Sequence, residues 1–161
     1  MMEGIYLLLG SNLGDKKNML EQARKLISHE IGTIIKASAL YETAAWGKED
    51  QPSFYNQVVE VKSTLSAADI LSQIQKIETD LGRVRLEKWG SRVIDIDILY
   101  YHDAVINDEN LSVPHPGIPD RKFTLEPLVE IAPNYIHPVL KVSNQELLIK
   151  CSDSLDVKRI D

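Results

Sequence analysis

An α+β fold of the ferredoxin-like kind is predicted for these 161 residues: a βαββαβ unit forming an antiparallel sheet with its helices on one face. Three observations predict it. Apolar spacing switches between period 2 and period 3.6 in the order strand, helix, strand, strand, helix, strand. Turn formers stand at nearly every switch. After residue 112 prolines crowd the chain, which predicts a looser C-terminal region added to the unit.

Ile5-Tyr6-Leu7-Leu8-Leu9 is an apolar run of strand length, ended by the turn formers Gly10-Ser11-Asn12-Leu13-Gly14. A helix follows with Asp15 as N-cap; Met19, Leu20, Ala23, Leu26 and Ile27 keep helical spacing as far as His29 or Glu30, and Gly32 breaks the run. From Thr33 to Thr43, the alternation of Ile35, Ala37, Ala39 and Tyr41 predicts a strand. A loop over Ala44 to Ser53 joins it to a second strand, Phe54 to Ser63, as an antiparallel pair. Ser66 with Asp69 resembles a capping box, and Ile70, Leu71, Ile74, Ile77 and Leu81 form one apolar stripe on a helix ended by Gly82. The last strand of the unit runs on through Leu99, Tyr100 and Tyr101. His102-Asp103-Ala104 then turns the chain into Val105-Ile106, a hairpin extension. Pro114, Pro116, Pro119, Pro127, Pro133 and Pro138 restrict 112–140 to loops and short helical turns, with a short final helix from Asn144 to Cys151. No repeat or linker interrupts this order, so residues 1–161 are expected to be one domain.

Composition narrows the partners. A hydrophobic content of 43% supports a core without covalent staples, and the single cysteine excludes an internal disulfide. The apolar run Ile5 to Leu9 is too short for a signal peptide or a membrane span, so a cytoplasmic protein with no membrane partner is expected. A net charge of −6 argues against nucleic-acid binding, which needs broad neutralisation of phosphates. Small molecules are the expected partners.

The sharpest chemical signal is Ile94-Asp95-Ile96-Asp97-Ile98-Leu99. Aspartate is depleted in strands and costly to bury unpaired, so alternation with isoleucine predicts one greasy face and one face that holds a cation. Asp95 and Asp97 point the same way with Cα atoms ~6.6 Å apart, which suits one or two hard metal ions. Mg²⁺ accepts few protein carboxylates and completes its shell with water and phosphate oxygens. A solvated face of an edge strand is the competing reading. Just ahead lies a basic stretch, Arg83-Val84-Arg85-Leu86-Glu87-Lys88-Trp89-Gly90-Ser91-Arg92, on a chain that is acidic overall. Guanidinium groups donate paired hydrogen bonds to phosphate and stay charged at any working pH, and an indole among them offers a stacking surface. Metal and arginines together describe a clamp for a polyphosphate.

Four blocks of sequence carry a resemblance to a known family. They are Leu9-Gly10-Ser11-Asn12-Leu13-Gly14-Asp15; Tyr41-Glu42-Thr43 through Asp50-Gln51-Pro52-Ser53-Phe54-Tyr55-Asn56; Leu81-Gly82-Arg83-Val84-Arg85 through Trp89-Gly90-Ser91-Arg92 and Asp95-Ile96-Asp97; and Val113-Pro114-His115-Pro116 through Arg121-Lys122-Phe123 and Glu126-Pro127-Leu128. In this order and at these spacings the chain resembles the 6-hydroxymethyl-7,8-dihydropterin pyrophosphokinases of folate biosynthesis, which move pyrophosphate from ATP to a pterin alcohol and release AMP.

The resemblance implies a site. Asp95 and Asp97 would bind two Mg²⁺ ions that bridge the triphosphate, with Arg92, His115 and Arg121 on phosphate oxygens. Arg83 and Arg85 match a loop arginine that closes over ATP. By the same resemblance the catalytic set is Arg83, Arg92, Asp95 and Asp97, while Leu71, Gln75, Glu78 and Ile98 match nucleotide-side positions. Phe54 and Phe123 match an aromatic pair that sandwiches the pterin, Asn56 the amide that reads its edge, backbone groups of Thr43, Ala44, Ala45 and Trp46 complete the edge contacts, and Trp89 is a lid residue near both ligands. Read without the resemblance, Phe54 and Phe123 are core residues and Asn56 a satisfied amide. Ala44, Ala45 and Ser91 replace prolines common in the family and Lys88 replaces an arginine, which leaves the loops freer before binding. A monomer is expected. A P-loop kinase is excluded, since Gly10 to Lys16 is too short for its motif. A sugar-nucleotide transferase would need a larger domain, and a ferredoxin-like RNA module would need a basic sheet face rather than an acidic pair.

Overall fold

The computed structural model describes residues 3–44, 53–82 and 94–160. Strands β1 (Ile5–Ser11), β2 (Thr33–Ala37), β3 (Tyr41–Thr43), β4 (Phe54–Lys62), β5 (Asp95–Tyr101) and β8 (Val157–Arg159) form one sheet; β6 (Ile106–Asn107) and β7 (Ser112–Val113) pair separately. The order across the main sheet is β5-β1-β4-β3-β8, with β2 also on β4, and each pairing is antiparallel. This is the βαββαβ arrangement the sequence predicts, with its second strand divided.

Helices α1 (Lys16–Glu30) and α2 (Ala67–Asp80) start where the caps predict. The Asn18 amide donates to Asp15 Oδ1 at 3.1 Å, and the Asp69 amide to Ser66 Oγ at 3.1 Å. Gly82 at φ +87° lets the chain leave α2 in the left-handed region. Both helices cover one sheet face: Leu20, Ala23, Ile27, Ile70, Ile74 and Ile77 pack against Ile5, Leu7, Leu9, Val59, Val61, Ile94, Ile96 and Ile98. Burying each such isoleucine contributes about 2 kcal/mol.

The opposite face is partly covered as well. Tyr6, Leu8, Val58, Leu99 and Tyr100 pack against Ile118, Leu125 and Leu128 of the turn and helix α3 (Lys122–Ile131) and Leu147 of α4 (Asn144–Lys150). The sequence predicts only short helical turns over 112–140, yet α3 runs ten residues with Pro127 inside it. The proline removes one helical hydrogen bond, and the buried stripe Leu125–Leu128 holds the helix on the sheet regardless.

There are three further departures, and the first and last of them come from contacts distant in sequence. The strand expected over Thr33 to Thr43 breaks at Ser38, whose amide donates to Val58 O (2.9 Å) while its Oγ accepts from Val58 N (3.0 Å), and Glu130 takes the next amide, Ala39 N (3.1 Å). The hairpin extension forms between β6 and β7 instead of folding back on β5. Strand β1 continues through Gly10 and Ser11, which pair with Asn56 and Tyr55 rather than turning. Among the described residues no helix is long and apolar enough to cross a membrane.

Candidate active site

The register of the sheet assembles the site. Asp95, Gly10 and Asn56 stand opposite one another across β5, β1 and β4; Asp97, Leu8 and Val58 form the next such row; and Thr43 of β3 stands opposite Phe54. Directly opposed residues share a face, so the acids, the amide and the aromatic ring all project to the side away from α1 and α2. There α3 and the turn before it add a wall. The result is a cleft of about 450 Å³ lined by Leu8, Gly10, Thr43, Ala44, Phe54, Asn56, Asp95, Asp97, Asp120, Arg121 and Phe123.

Strand β5 serves both faces. Ile94, Ile96 and Ile98 are buried against α2, while Asp95 and Asp97 remain half-buried in the cleft. Glu78, itself buried, accepts the Ile96 amide at 2.9 Å and so pins this edge strand to α2 midway between the two acids. Two hard carboxylates side by side, opening onto free volume, fit a Mg²⁺ ion that keeps water and phosphate oxygens in its shell. No group of three or more histidine, cysteine or acidic side chains able to close a protein cage occurs among the described residues.

His115 reaches the acids from the loop before α3. Its Nδ1 accepts the Gly117 amide at 2.9 Å, which leaves Nε2 to carry the proton, and Nε2 stands 4.0 Å from Asp97 Oδ2. Burial pulls the His115 pKa below its ordinary value; Asp97 opposes that shift and Arg121 adds to it. A neutral ring with an outward N–H can donate to a phosphate oxygen without repelling Arg121. The Arg121 guanidinium lies beside Phe123, its Cζ 5.8 Å from the ring centroid.

On the apolar side, Phe54 and Phe123 come from opposite walls of the same cleft, and the Asn56 carboxamide lies between the strands at 4% exposure. Gly10 makes room for it: a Cβ there would stand 2.8 Å from Asn56 Oδ1. Thr43 Oγ1 is buried with no hydrogen-bond partner among the described residues, a hydroxyl that a ligand could satisfy.

The structure thus brings together Asp95, Asp97, His115, Arg121, Thr43, Ala44, Phe54, Asn56 and Phe123. It puts Leu71, Gln75, Glu78 and Ile98 around the other side of β5, on α2 and in the core it shares with the sheet; Gln75 is exposed, Leu71 partly buried and Ile98 buried. Ala45, Trp46, Arg83, Arg85, Trp89 and Arg92 lie outside the described residues. Leu8, Gly10 and Asp120 line the cleft without having been singled out from the sequence. Gly10 is legible only once the register is known, because in sequence it reads as a turn former.

Comparison with known proteins gives this geometry a family. Residues 6–133 match the family described as 7,8-dihydro-6-hydroxymethylpterin-pyrophosphokinase. The chain is 44% identical over 140 residues to the 2-amino-4-hydroxy-6-hydroxymethyldihydropteridine pyrophosphokinase of Aquifex aeolicus, covering 87% of each, and 45% identical over 127 residues to that of Bacillus subtilis, covering 78% of this chain and 76% of the other. It also matches the folic acid synthesis protein fol1 of Pneumocystis carinii at 38% identity, with 98% of this chain but only 21% of that longer protein. Among solved structures, a Plasmodium falciparum HPPK-DHPS chain superposes with a TM-score of 0.77 at 21% identity, over 93% of this chain and 43% of the other, which is a likeness of fold. The relatives matched over most of their own length are pyrophosphokinases, transferases of folate biosynthesis. By the family match and these identities, the chain belongs to the 7,8-dihydro-6-hydroxymethylpterin-pyrophosphokinase family.

Proposed function

We propose that the chain transfers a diphosphate from ATP to the hydroxymethyl oxygen of 6-hydroxymethyl-7,8-dihydropterin, releasing AMP, as a step toward tetrahydrofolate. One observation carries the reading: the acidic pair of β5 and the aromatic pair Phe54 and Phe123 line a single cleft, so a charged donor and a flat acceptor can meet in it. The alcohol oxygen forms a bond to the β-phosphorus, the bond from that phosphorus to the oxygen of the α-phosphate breaks, and the hydroxyl proton is lost.

Phosphoryl chemistry leaves the protein mainly positioning and charge stabilisation. Asp95 and Asp97 would hold two Mg²⁺ ions, which when bound neutralise the triphosphate and align it. Arg121 and the Nε2–H of His115 hold donor oxygens, joined by Arg92, Arg83 and Arg85 from the basic stretch. Phe54 and Phe123 stack on the pterin bicycle, and Asn56 with the Thr43 hydroxyl reads its edge, rejecting rings that leave those polar groups unmet. Trp89 and the basic stretch close over the pair, excluding water that would otherwise compete with the alcohol. Leu71, Gln75, Glu78 and Ile98 form the nucleotide side of β5. In this reading the 161 residues act as one domain, a monomer in the cytoplasm.

The test is incubation with Mg-ATP and the reduced pterin alcohol, with separation of products. AMP and the pterin diphosphate are expected in equal amounts. Formation of ADP, or no turnover with the acceptor present, would overturn the assignment.

A further inference from the structure

Gly117 occupies a turn that does not need glycine for its backbone. Its φ of −82° and ψ of −7° lie where any residue is at ease. The need comes from a neighbour: a Cβ on Gly117 would stand 2.8 Å from Arg121 Nε, 2.9 Å from Arg121 Cζ and 3.1 Å from Arg121 Cδ, all inside van der Waals contact. The guanidinium therefore rests against the bare Cα of Gly117, with the Phe123 ring also beside it. Arginine has many rotamers and loses side-chain entropy when it is ordered on an anion, so holding it in advance strengthens binding.

We infer that Gly117 is a positioning residue that seats Arg121 over the cleft for the phosphate oxygens of the nucleotide. This rests on the reading of Arg121 as a phosphate ligand. The displaced atoms belong to the far part of a flexible side chain on an exposed residue, so a methyl group on Gly117 moves the guanidinium and leaves the fold in place. Alanine also keeps the backbone N–H that Gly117 donates to His115 Nδ1, so the histidine tautomer is untouched.

The experiment compares Gly117→Ala, Arg121→Ala and the double variant by calorimetric titration with Mg²⁺ and a non-hydrolysable ATP analogue, by titration with the pterin alcohol, and by thermal melting. Gly117→Ala should weaken nucleotide binding about tenfold, the scale of one misplaced charge-assisted contact, and raise KM for ATP more than it lowers kcat. Its melting temperature and pterin affinity should match the parent protein. Arg121→Ala should weaken nucleotide binding at least as much, and the double variant should bind no worse than Arg121→Ala alone, since the two changes remove one interaction. Unchanged binding in Gly117→Ala beside weakened binding in Arg121→Ala overturns the inference and leaves the phosphate role of Arg121 standing; unchanged binding in Arg121→Ala overturns both. Additive losses would mean that Gly117 acts elsewhere and also overturn it. Should Gly117→Ala melt early, the double variant decides: with the guanidinium gone the methyl has room, and melting at the temperature of Arg121→Ala is expected, whereas lower melting refutes the seat.

Discussion

The two faces of β5 are made by alternate residues of one seven-residue strand, and they obey different rules. Ile96 and Ile98 face a close-packed layer with α2, where every methyl group counts toward stability. Asp95 and Asp97 face open volume beside Gly10, Asn56 and Arg121. Stability and chemistry are separated here by a 180° alternation rather than by distance. A substitution one residue along the strand should change which property is lost.

Four substitutions press on that separation. The largest effect is expected from Asp97→Asn, which keeps shape but removes charge: turnover with Mg-ATP should fall by about a thousandfold or more. Urea unfolding should hardly change, because the side chain is 45% exposed. A large stability loss with normal turnover would reverse the assignment of the faces.

On the opposite face, Ile74→Ala leaves a cavity under β5 and should cost about 2–5 kcal/mol in urea unfolding. Turnover per folded molecule should stay near that of the parent. Gly10→Ala lies between the extremes. Its methyl group would meet the buried Asn56 amide, so pterin affinity measured by titration should drop about tenfold with a modest loss of stability. Equal pterin affinity would show that Asn56 does not read the ring.

The smallest effect concerns pH and the cover provided by the C-terminal region. His137 is buried, and its Nδ1 accepts the amides of Val139 (3.2 Å) and Leu140 (3.0 Å); burial lowers its pKa. The unfolded chain then binds a proton first. Stability is therefore full above the ordinary histidine pKa of about 6.5 and declines as pH falls below it, with His115 adding in the same direction. His137→Gln keeps an acceptor without the titration, so its unfolding midpoint should vary less between pH 7.5 and 5.5. An equal slope in both proteins would clear His137 of the effect.

Much of the fold is legible in sequence where the signal is local. Asp15, Ser66 and Gly82 announce the helix ends, and the Asp-Ile alternation announces a strand with one acidic face, because caps and period-2 patterns depend on neighbours within four residues. The gap at Ser38, the continuation of β1 through Gly10, helix α3 across Pro127 and strand β8 depend on partners far along the chain, such as Val58, Asn56, Leu8 and Tyr41. Local preference predicts turns at several of these positions, and tertiary packing prevails. The site divides the same way. Asp95 and Asp97 are visible as chemistry out of place, while Phe54, Phe123 and Asn56 look ordinary until the family resemblance and then the register bring them to one cleft.

The tail joins what the cleft keeps apart. Strand β8 pairs with β3 beside Thr43, and Asp153 accepts the Lys122 amide (3.0 Å) at the start of α3, next to Arg121 and Phe123. Both walls are thus tied by one short stretch, Asp153 to Arg159. Loosening that one stretch would slacken both sides of the cleft at once, while the hydrocarbon layer under α1 and α2 would keep its packing.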